Sequence, residues 1–374
     1  MIVVVVIGIL YVLLLLVLYL GMTKVKVYSS HVSGQDTYFS IVIAFRNEAL
    51  HLPDLLSSLA KIDYPKDRFE ILMVNDDSSD DSVAIIQQFF VTHPTLQWRV
   101  LSNHRQSVSP KKDAITTAVQ HSKYPWILTT DADCTVPKTW LQAFDSLIHK
   151  ENPKLIAGLV SYQEKKGFLF QFQNYDWMSL TGVTVGSFGW KKPLLCSGAN
   201  LAYTKQAFIA QQGFTGNDTI ASGDDVFLLH KMYKAYPGQV LLLNNTGSIV
   251  QTKSEQTWKE LMQQRMRWAK KTTQISHTYL QIVGWIVFLT NITALILLFL
   301  ILYRLDFVLI WIAYLFLKIL VDTVFLLKVT QILGKKIILK YLVPAGMVYP
   351  FFSVGVVLVG FFKKIHWKGR RFSA

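Results

Sequence analysis

The chain has 374 residues, 51% of them hydrophobic, with 38 Lys and Arg against 24 Asp and Glu. That is too apolar for one compact soluble fold, and it fits one sizeable soluble domain with several membrane spans. Many of the cations (Lys24, Lys26, Lys270, Lys271, Lys335, Lys336, Lys363, Lys364) flank apolar segments, and no basic stripe carries interleaved aromatics, so the charge speaks for a membrane surface and against nucleic acid.

Residues 2–20 form an uncharged apolar run, long enough as a helix to cross about 30 Å of hydrocarbon. Lys24 and Lys26 follow it where a cleaved leader would carry a small-residue site, so the run is expected to stay as an anchor. By the positive-inside rule the N-terminus faces outward and the chain from residue 22 to about 278 lies in the cytoplasm. Cys134 and Cys196 are too few for a disulfide framework, which agrees with a reducing compartment.

After a polar linker (Tyr28 to Asp36), apolar runs at 39–45, 69–75, 98–102 and 125–131 alternate with helix-like stretches at 48–61, 79–92 and 111–122. Such alternation predicts an α/β fold with a mostly parallel sheet. Toward the C-terminus three further apolar stretches, about 281–303, 307–327 and 343–362, read as spans. Four spans put both termini on one side, whereas the tail KKIHWKGRR is basic enough to prefer the cytoplasm. Pro344 and Pro350 therefore mark 343–362 as a candidate re-entrant or broken helix, with 331–342 in the interface.

Ligands of parallel sheets bind beyond the carboxyl ends of the strands, so the residues after each run carry the interest. The first run ends in Arg46-Asn47-Glu48, the second in Asp76-Asp77-Ser78-Ser79-Asp80-Asp81, and the fourth in Asp131-Ala132-Asp133. Each alone reads as helix-capping chemistry. Together they would gather carboxylates in one crevice, which is unfavourable unless a cation or ligand compensates. Asp131 and Asp133, at alternate positions, suit a shared Mg²⁺ or Mn²⁺ that also bridges a diphosphate. Either Asp76 or Asp77 would read a base or ribose, with Asp80, Asp81 and Ser82 left to cap the next helix.

Lys111 and Lys112 follow Pro110 at a helix start, close to a phosphate or simply solvated. In CSGANLAY, Gly198 and Asn200 form a turn where backbone can approach a ligand. Gly223-Asp224-Asp225 precedes an apolar helical stretch; its aspartates either cap that helix or supply a general base. Gln264, Arg267 and Trp268 share one helix face, which is either an amphipathic face on the membrane or a set able to meet a diphosphate and a sugar ring.

In order, AFRNE, DDSS, KK, DAD, SGAN, GDD and QRMRW resemble the glycosyltransferase 2 family of GT-A fold enzymes, in the membrane branch with cellulose, chitin and hyaluronan synthases and ceramide glucosyltransferases. The resemblance covers residues 39 to about 271. It implies a Rossmann-like GT-A catalytic domain at 39–275, an anchor at 1–21, a linker at 22–38, and a C-terminal membrane domain with a basic tail at 276–374. It further implies that Ala44, Arg46, Glu48, Asp76 or Asp77 and Lys111 cradle the nucleoside, with Gly198 and Asn200 in the substrate site. Asp131 and Asp133 would hold nucleotide and metal, Asp225 with Asp224 beside it would be the base, and Gln264, Arg267 and Trp268 would meet acceptor and diphosphate. The partners implied are a nucleotide sugar, UDP-sugar foremost, and a lipid or glycan acceptor at the cell membrane, with a multi-pass chain and a cytoplasmic catalytic domain. Gly-Asp-Asp replaces the family's Thr-Glu-Asp, and this and the Trp367-Lys368-Gly369-Arg370 tail look more like the ceramide-glucosyltransferase side, which favours a lipid acceptor over polymer synthesis. A non-catalytic sugar-nucleotide-binding membrane protein is the alternative from another class.

Overall fold

The computed structural model describes residues 1–28, 35–217, 223–274, 277–362, 365–367 and 370–372. In chain order the elements are α1 (Ile2–Lys24), β1 (Phe39–Phe45), α2 (Leu52–Ala60), β2 (Phe69–Asn75), α3 (Ser82–Val91), β3 (Gln97–Ser102), α4 (Pro110–His121), β4 (Trp126–Thr129), β5 (Cys134–Thr135) and α5 (Trp140–Glu151). There follow β6 (Leu155–Gly158), β7 (Val160–Tyr162), α6 (Phe168–Gly189), β8 (Leu201–Thr204), α7 (Lys205–Ala210), α8 (Asp224–Ala235), β9 (Val240–Leu243) and β10 (Val250–Thr252). Last come α9 (Trp258–Gln274), α10 (Thr278–Leu300), α11 (Phe307–Leu333), α12 (Leu339–Phe362) and a short antiparallel pair, β11 (Ile365–Trp367) with β12 (Arg370–Phe372). The fold is divided into two units: Val25–Gln163 with Lys191–Lys253, and Met1–Lys24 with Glu164–Trp190 and Ser254–Ala374.

The first unit is built on a seven-stranded sheet in the order β3-β2-β1-β4-β8-β6-β9. Neighbours run parallel except β8, which is antiparallel to β4 and β6. FSIVIAF and FEILMVN are nearly unbroken apolar runs because a parallel sheet is covered on both faces, and both strands are buried along almost their whole length. Glu70 is the exception inside β2. Its carboxylate accepts from Ser40 Oγ at 2.7 Å and the Lys123 amide at 2.6 Å and pairs with Arg99 at 3.1 Å, which offsets the cost of burying it.

Register lines Phe39 up with both Phe69 and Trp126, so β1, β2 and β4 deliver their carboxyl ends to the same edge. From β4 the chain passes through Asp131-Ala132-Asp133 into β5, which belongs to a second, three-stranded sheet in the order β5-β10-β7. That turn therefore joins two sheets.

Among the described residues the second unit holds four helices long and apolar enough to cross a membrane, α1, α10, α11 and α12. α6 and α9 join them. Residues 164–190 and those from 254 onward group with the apolar helices. The physical reason is visible in α6, whose glycines take the backbone of α1: a Cβ at Gly186 would lie 2.5 Å from the Leu18 carbonyl oxygen, and one at Gly182 would clash with Phe325 of α11. Small residues permit this closeness, as they do between membrane helices generally. At the end of the pair, the Lys24 ammonium sits 3.3 Å from the Trp190 ring centroid, and Trp190 Nε1 donates to the Val17 carbonyl at 2.8 Å.

One sequence expectation is corrected here. Residues 339–362 form one continuous helix with Pro344 and Pro350 inside it, not a broken one. Residues 331–342 take in the end of α11, which stops at the left-handed Gly334, and the start of α12. A proline removes one backbone donor, and α12 continues through both positions without losing its helical path. Lys363, Lys364, Lys368 and Gly369 of the basic tail, and most of the 28–36 linker, lie outside the described residues.

Candidate functional site

The loops after β1 and β2 are stitched together. The amides of Asn47, Glu48 and Ala49 donate to Ser78 Oγ, Ser82 Oγ and Asp80 Oδ2 at 3.1, 2.9 and 3.0 Å, and Asn47 Oδ1 accepts from the Ser79 amide at 2.8 Å. Asn47 and Asp77 adopt positive φ of 51° and 63°, in the left-handed region that Asn and Asp tolerate best after glycine. Asp80 also accepts from the Ser82 amide at 3.1 Å, so the capping role foreseen for this stretch falls mainly to Asp80.

Asp76 and Asp77 differ in access. Asp76 is buried, and its Oδ1 receives Asn103 Nδ2 at 2.8 Å and Arg105 at 3.3 Å. The Asp77 side chain is 89% exposed and meets the edge of Arg46 at 3.4 Å, whose guanidinium donates to the Asp76 carbonyl at 2.7 Å. Ala44, half-buried opposite Val74, lines the strand just before this loop.

Beyond β4 lies the charge cluster. Lys111 Nζ is 2.6 Å from Asp131 Oδ1 and 3.6 Å from Asp224 Oδ2, so one ammonium ties the strand-end carboxylate to the first turn of α8. Burial opposes this charge, but Asp131, Asp224 and Asp225 outweigh it and hold the ammonium well above the ordinary lysine range. Lys112, next along, is buried and donates to the Asn217 carbonyl at 2.6 Å, which makes it a packing residue.

Gly223, at φ 91°, turns the chain into α8, so Asp224 and Asp225 are the first helical residues and not its cap. Asp225 accepts from the Val226 amide at 2.7 Å and the Gly198 amide at 3.3 Å, while the Gly198 carbonyl accepts from Thr129 Oγ1 at 2.7 Å. Gly198 therefore clamps α8 to β4. A Cβ here would stand 3.0 Å from Asp224 Oδ2, a tight contact that the Asp224 carboxylate would have to relieve by moving.

Asn200 is not part of this surface. It is wholly buried, its Nδ2 donating to the carbonyls of Leu159 and Ser248 at 2.8 and 2.9 Å and its Oδ1 accepting from Trp140 Nε1 at 2.9 Å. Its side chain is thus held within the protein core.

Asp133 accepts a long 3.5 Å bond from Thr252 Oγ1. Among the described residues no group of three His, Cys, Asp or Glu is arranged to hold a metal ion. Asp131 and Asp133 could therefore supply two hard oxygen ligands at most, leaving the rest of the shell to water and a diphosphate. That donor set fits Mg²⁺ or Mn²⁺, which is commonly held by one or two carboxylates plus phosphate oxygens.

Gln264, Arg267 and Trp268 fall in the other unit, on α9. Gln264 Nε2 donates to Glu255 Oε1 at 2.6 Å, and Trp268 packs between the Arg265 guanidinium, 4.1 Å from its ring centroid, and Trp177 at 5.6 Å. Arg267 makes no hydrogen bond among the described residues; burial pushes its guanidinium down from the ordinary range, against the pull of Glu255, and Arg265 adds to the depression. A partly desolvated cation of this kind is compensated best by an anion.

Asn103 and Arg105, which orient Asp76, are absent from the sequence-derived site. The signal was present, because the third apolar run also ends in a polar cluster, Asn103-His104-Arg105, and the strand-end rule applies to it equally.

Residues 47–374 match the model of glycosyl transferase family 21. Among curated proteins, the chain is 25% identical over 240 residues to "Probable glycosyltransferase YdaM" of Bacillus subtilis, covering 62% of this chain and 54% of the relative. It is 28% identical over 149 residues to poly-beta-1,6-N-acetyl-D-glucosamine synthase of Staphylococcus epidermidis, covering 38% of this chain and 33% of that one. The chain thus spans about half, or less, of the length of these relatives. The structure is similar to mannosyltransferase PcManGT of Pyrobaculum calidifontis, solved with GDP-Man and Mn²⁺, at 16% identity, 95% coverage of both chains and a TM-score of 0.57, a likeness of fold. The α/β unit is accordingly of the GT-A type, flanked by apolar helices long enough to span a membrane. The matching model is that of family 21, where the motifs alone suggest family 2, and it extends over well more than half of the sequence: the chain belongs to glycosyl transferase family 21.

Proposed function

We propose that this protein is an inverting glycosyltransferase that moves a sugar from a nucleotide sugar, a UDP-sugar foremost, to a lipid acceptor at the cytoplasmic face of the cell membrane. The observation that carries the reading is the Lys111 bridge, which gathers Asp131, Asp224 and Asp225 into one crevice at the carboxyl edge of the sheet. Arg46, Asp77 and the stitched loop receive the nucleoside. Asp131 and Asp133 would hold a Mg²⁺ or Mn²⁺ ion, which when bound supplies positive charge to the diphosphate. Mannosyltransferase PcManGT, described with GDP-Man and Mn²⁺, lends support to a divalent ion here.

In the transfer step Asp225 takes the proton of the acceptor hydroxyl. The oxygen attacks the anomeric carbon from the face opposite the diphosphate, a new C–O bond forms, and the nucleoside diphosphate departs with the electron pair of the broken one. Lys111 is the cation offered to the leaving charge. The lipid acceptor is favoured by α9, whose helix ends a few residues before the apolar α10. Polymer synthesis is the second reading, favoured by the similarity to the poly-N-acetylglucosamine synthase.

The test is Asp225→Asn in full-length protein in lipid nanodiscs, with metal-dependent UDP release from UDP-glucose measured with and without lipid extract. Transfer should fall by roughly two to four orders of magnitude while donor binding changes little. Retention of parental transfer would sink the assignment of the base, and absence of any acceptor-dependent release in the parent would sink the function.

A further inference from the structure

A chain of polar contacts, buried at Asp176 and Arg265, runs through the helical unit, and its α6 and α12 members Gln173, Asp176 and Tyr349 take no part in the site described above. Arg265 Nε lies 2.5 Å from Asp176 Oδ2, with side chains only 6% and 8% exposed. Tyr349 Oη of α12 donates to the other Asp176 oxygen at 3.0 Å. Arg265 also donates to Gln264 Oε1, and its guanidinium underlies the Trp268 ring. Gln173 of α6 brackets Glu255, accepting from its amide at 2.9 Å and donating to its carbonyl at 3.0 Å, while Glu255 receives Gln264.

We infer that Asp176 and Arg265 are a positioning pair that fixes the rotation of α9 about its axis, and so decides which of two arginines on that helix is neutralised within the protein. Arg265 and Arg267 are two positions apart, about 200° around a helix, so engaging one turns the other to the opposite side. Arg265 is spent on Asp176. Arg267 is left without a hydrogen bond among the described residues and partly desolvated. Gln264 and Trp268, the neighbours of Arg267 in the motif, each touch Arg265, so the pair holds the amide and the indole directly.

Stability alone is a poor reason for such an arrangement. A buried ion pair recovers little more than its desolvation cost, and its best-attested use is to select one packing over another. Asp176 is reached from α9 and from α12, an apolar helix of membrane-spanning length, so α9 takes its orientation from the helical bundle.

The inference rests on the transfer function only for its kinetic readout, and a second readout stands apart from it. Full-length protein in nanodiscs carries Asp176→Asn, Arg265→Lys and Tyr349→Phe singly, with Asp176→Glu as the conservative variant. UDP binding with Mg²⁺ is expected to stay within about twofold of the parent, while transfer from UDP-glucose in lipid extract falls roughly tenfold to a hundredfold in Asp176→Asn, less in Tyr349→Phe, and recovers in part in Asp176→Glu. With 5-fluorotryptophan labelling, the Trp268 resonance, assigned by Trp268→Phe, should shift in Asp176→Asn and Arg265→Lys.

Parental transfer and an unmoved Trp268 resonance in folded variants would overturn the inference, as would loss of UDP binding in step with transfer, which would mark a general structural role. If Asp176→Asn does not fold, Tyr349→Phe and Arg265→Lys decide by the same criteria. If the parent transfers nothing, the proposed function fails, and the fluorine spectrum alone decides whether the pair orients α9.

Discussion

Lys111 is the residue on which the crevice turns. Removing its charge, as in Lys111→Met, leaves Asp131 and Asp224 facing each other without an intervening cation, and like charges brought together in a partly dry site raise the cost of folding and of diphosphate binding alike. The sign of its pH dependence follows from the raised folded value. The stabilisation is fully present below the unfolded lysine value of about 10.4 and is lost only as pH climbs through the higher folded one. The gap in melting temperature between parent and Lys111→Met should therefore stay level from about pH 6 to about pH 9 and narrow only in strong alkali. Asp133→Ala addresses the other end of the cluster: UDP binding measured by calorimetry should lose its Mg²⁺ or Mn²⁺ dependence, and binding that keeps it would move the ion elsewhere.

At the scale of elements, the sheet was legible because its strands leave an unusually plain record. β1 and β2 are buried on both faces, so their sequences are continuous apolar runs with polar residues at the ends, and the expected and observed bounds coincide at 39–45 and 69–75. The strand-end rule also picked out Asp131, Asp76 and Arg46 as strand-end polar residues, and all three lie just beyond β4, β2 and β1. It could not weigh access, which depends on what packs against a residue from elsewhere in the chain. Asn200 in SGAN and Asn47 in AFRNE look alike as polar residues in turns, yet the first closes three protein bonds in the core and the second is exposed. Asn200→Ala should accordingly cost about 2–4 kcal/mol in denaturant unfolding, by leaving Trp140 Nε1 and two carbonyls unpaired, whereas Asn47→Ala should cost less. α6 was not legible at all. Its Gln173 and Asp176 interrupt the apolar pattern that would announce a helix among spans, and their partners Glu255, Arg265 and Tyr349 come from 80 residues or more along the chain.

For the whole molecule, the four apolar helices were read from length and hydropathy, and all four occur. Between them the chain makes an excursion: residues 164–190 leave the α/β unit, pack among the apolar helices, and lead back into the α/β unit at Lys191. Helix α1 takes on a different character in this light. Its glycine face, with Gly21 set against Gly186 and Gly189 of α6, is a shaped mating surface rather than a stretch of grease. An unrelated leucine-rich segment of equal length would satisfy the bilayer and still present bulk where the α6 backbone needs a notch. Such a chimera should insert normally yet melt at lower temperature in nanodiscs than the parent, with smaller losses when Gly21 alone is restored to the foreign helix. What resembles a tether is then half of a joint, and exchanging it amounts to changing the enzyme's framework rather than its address.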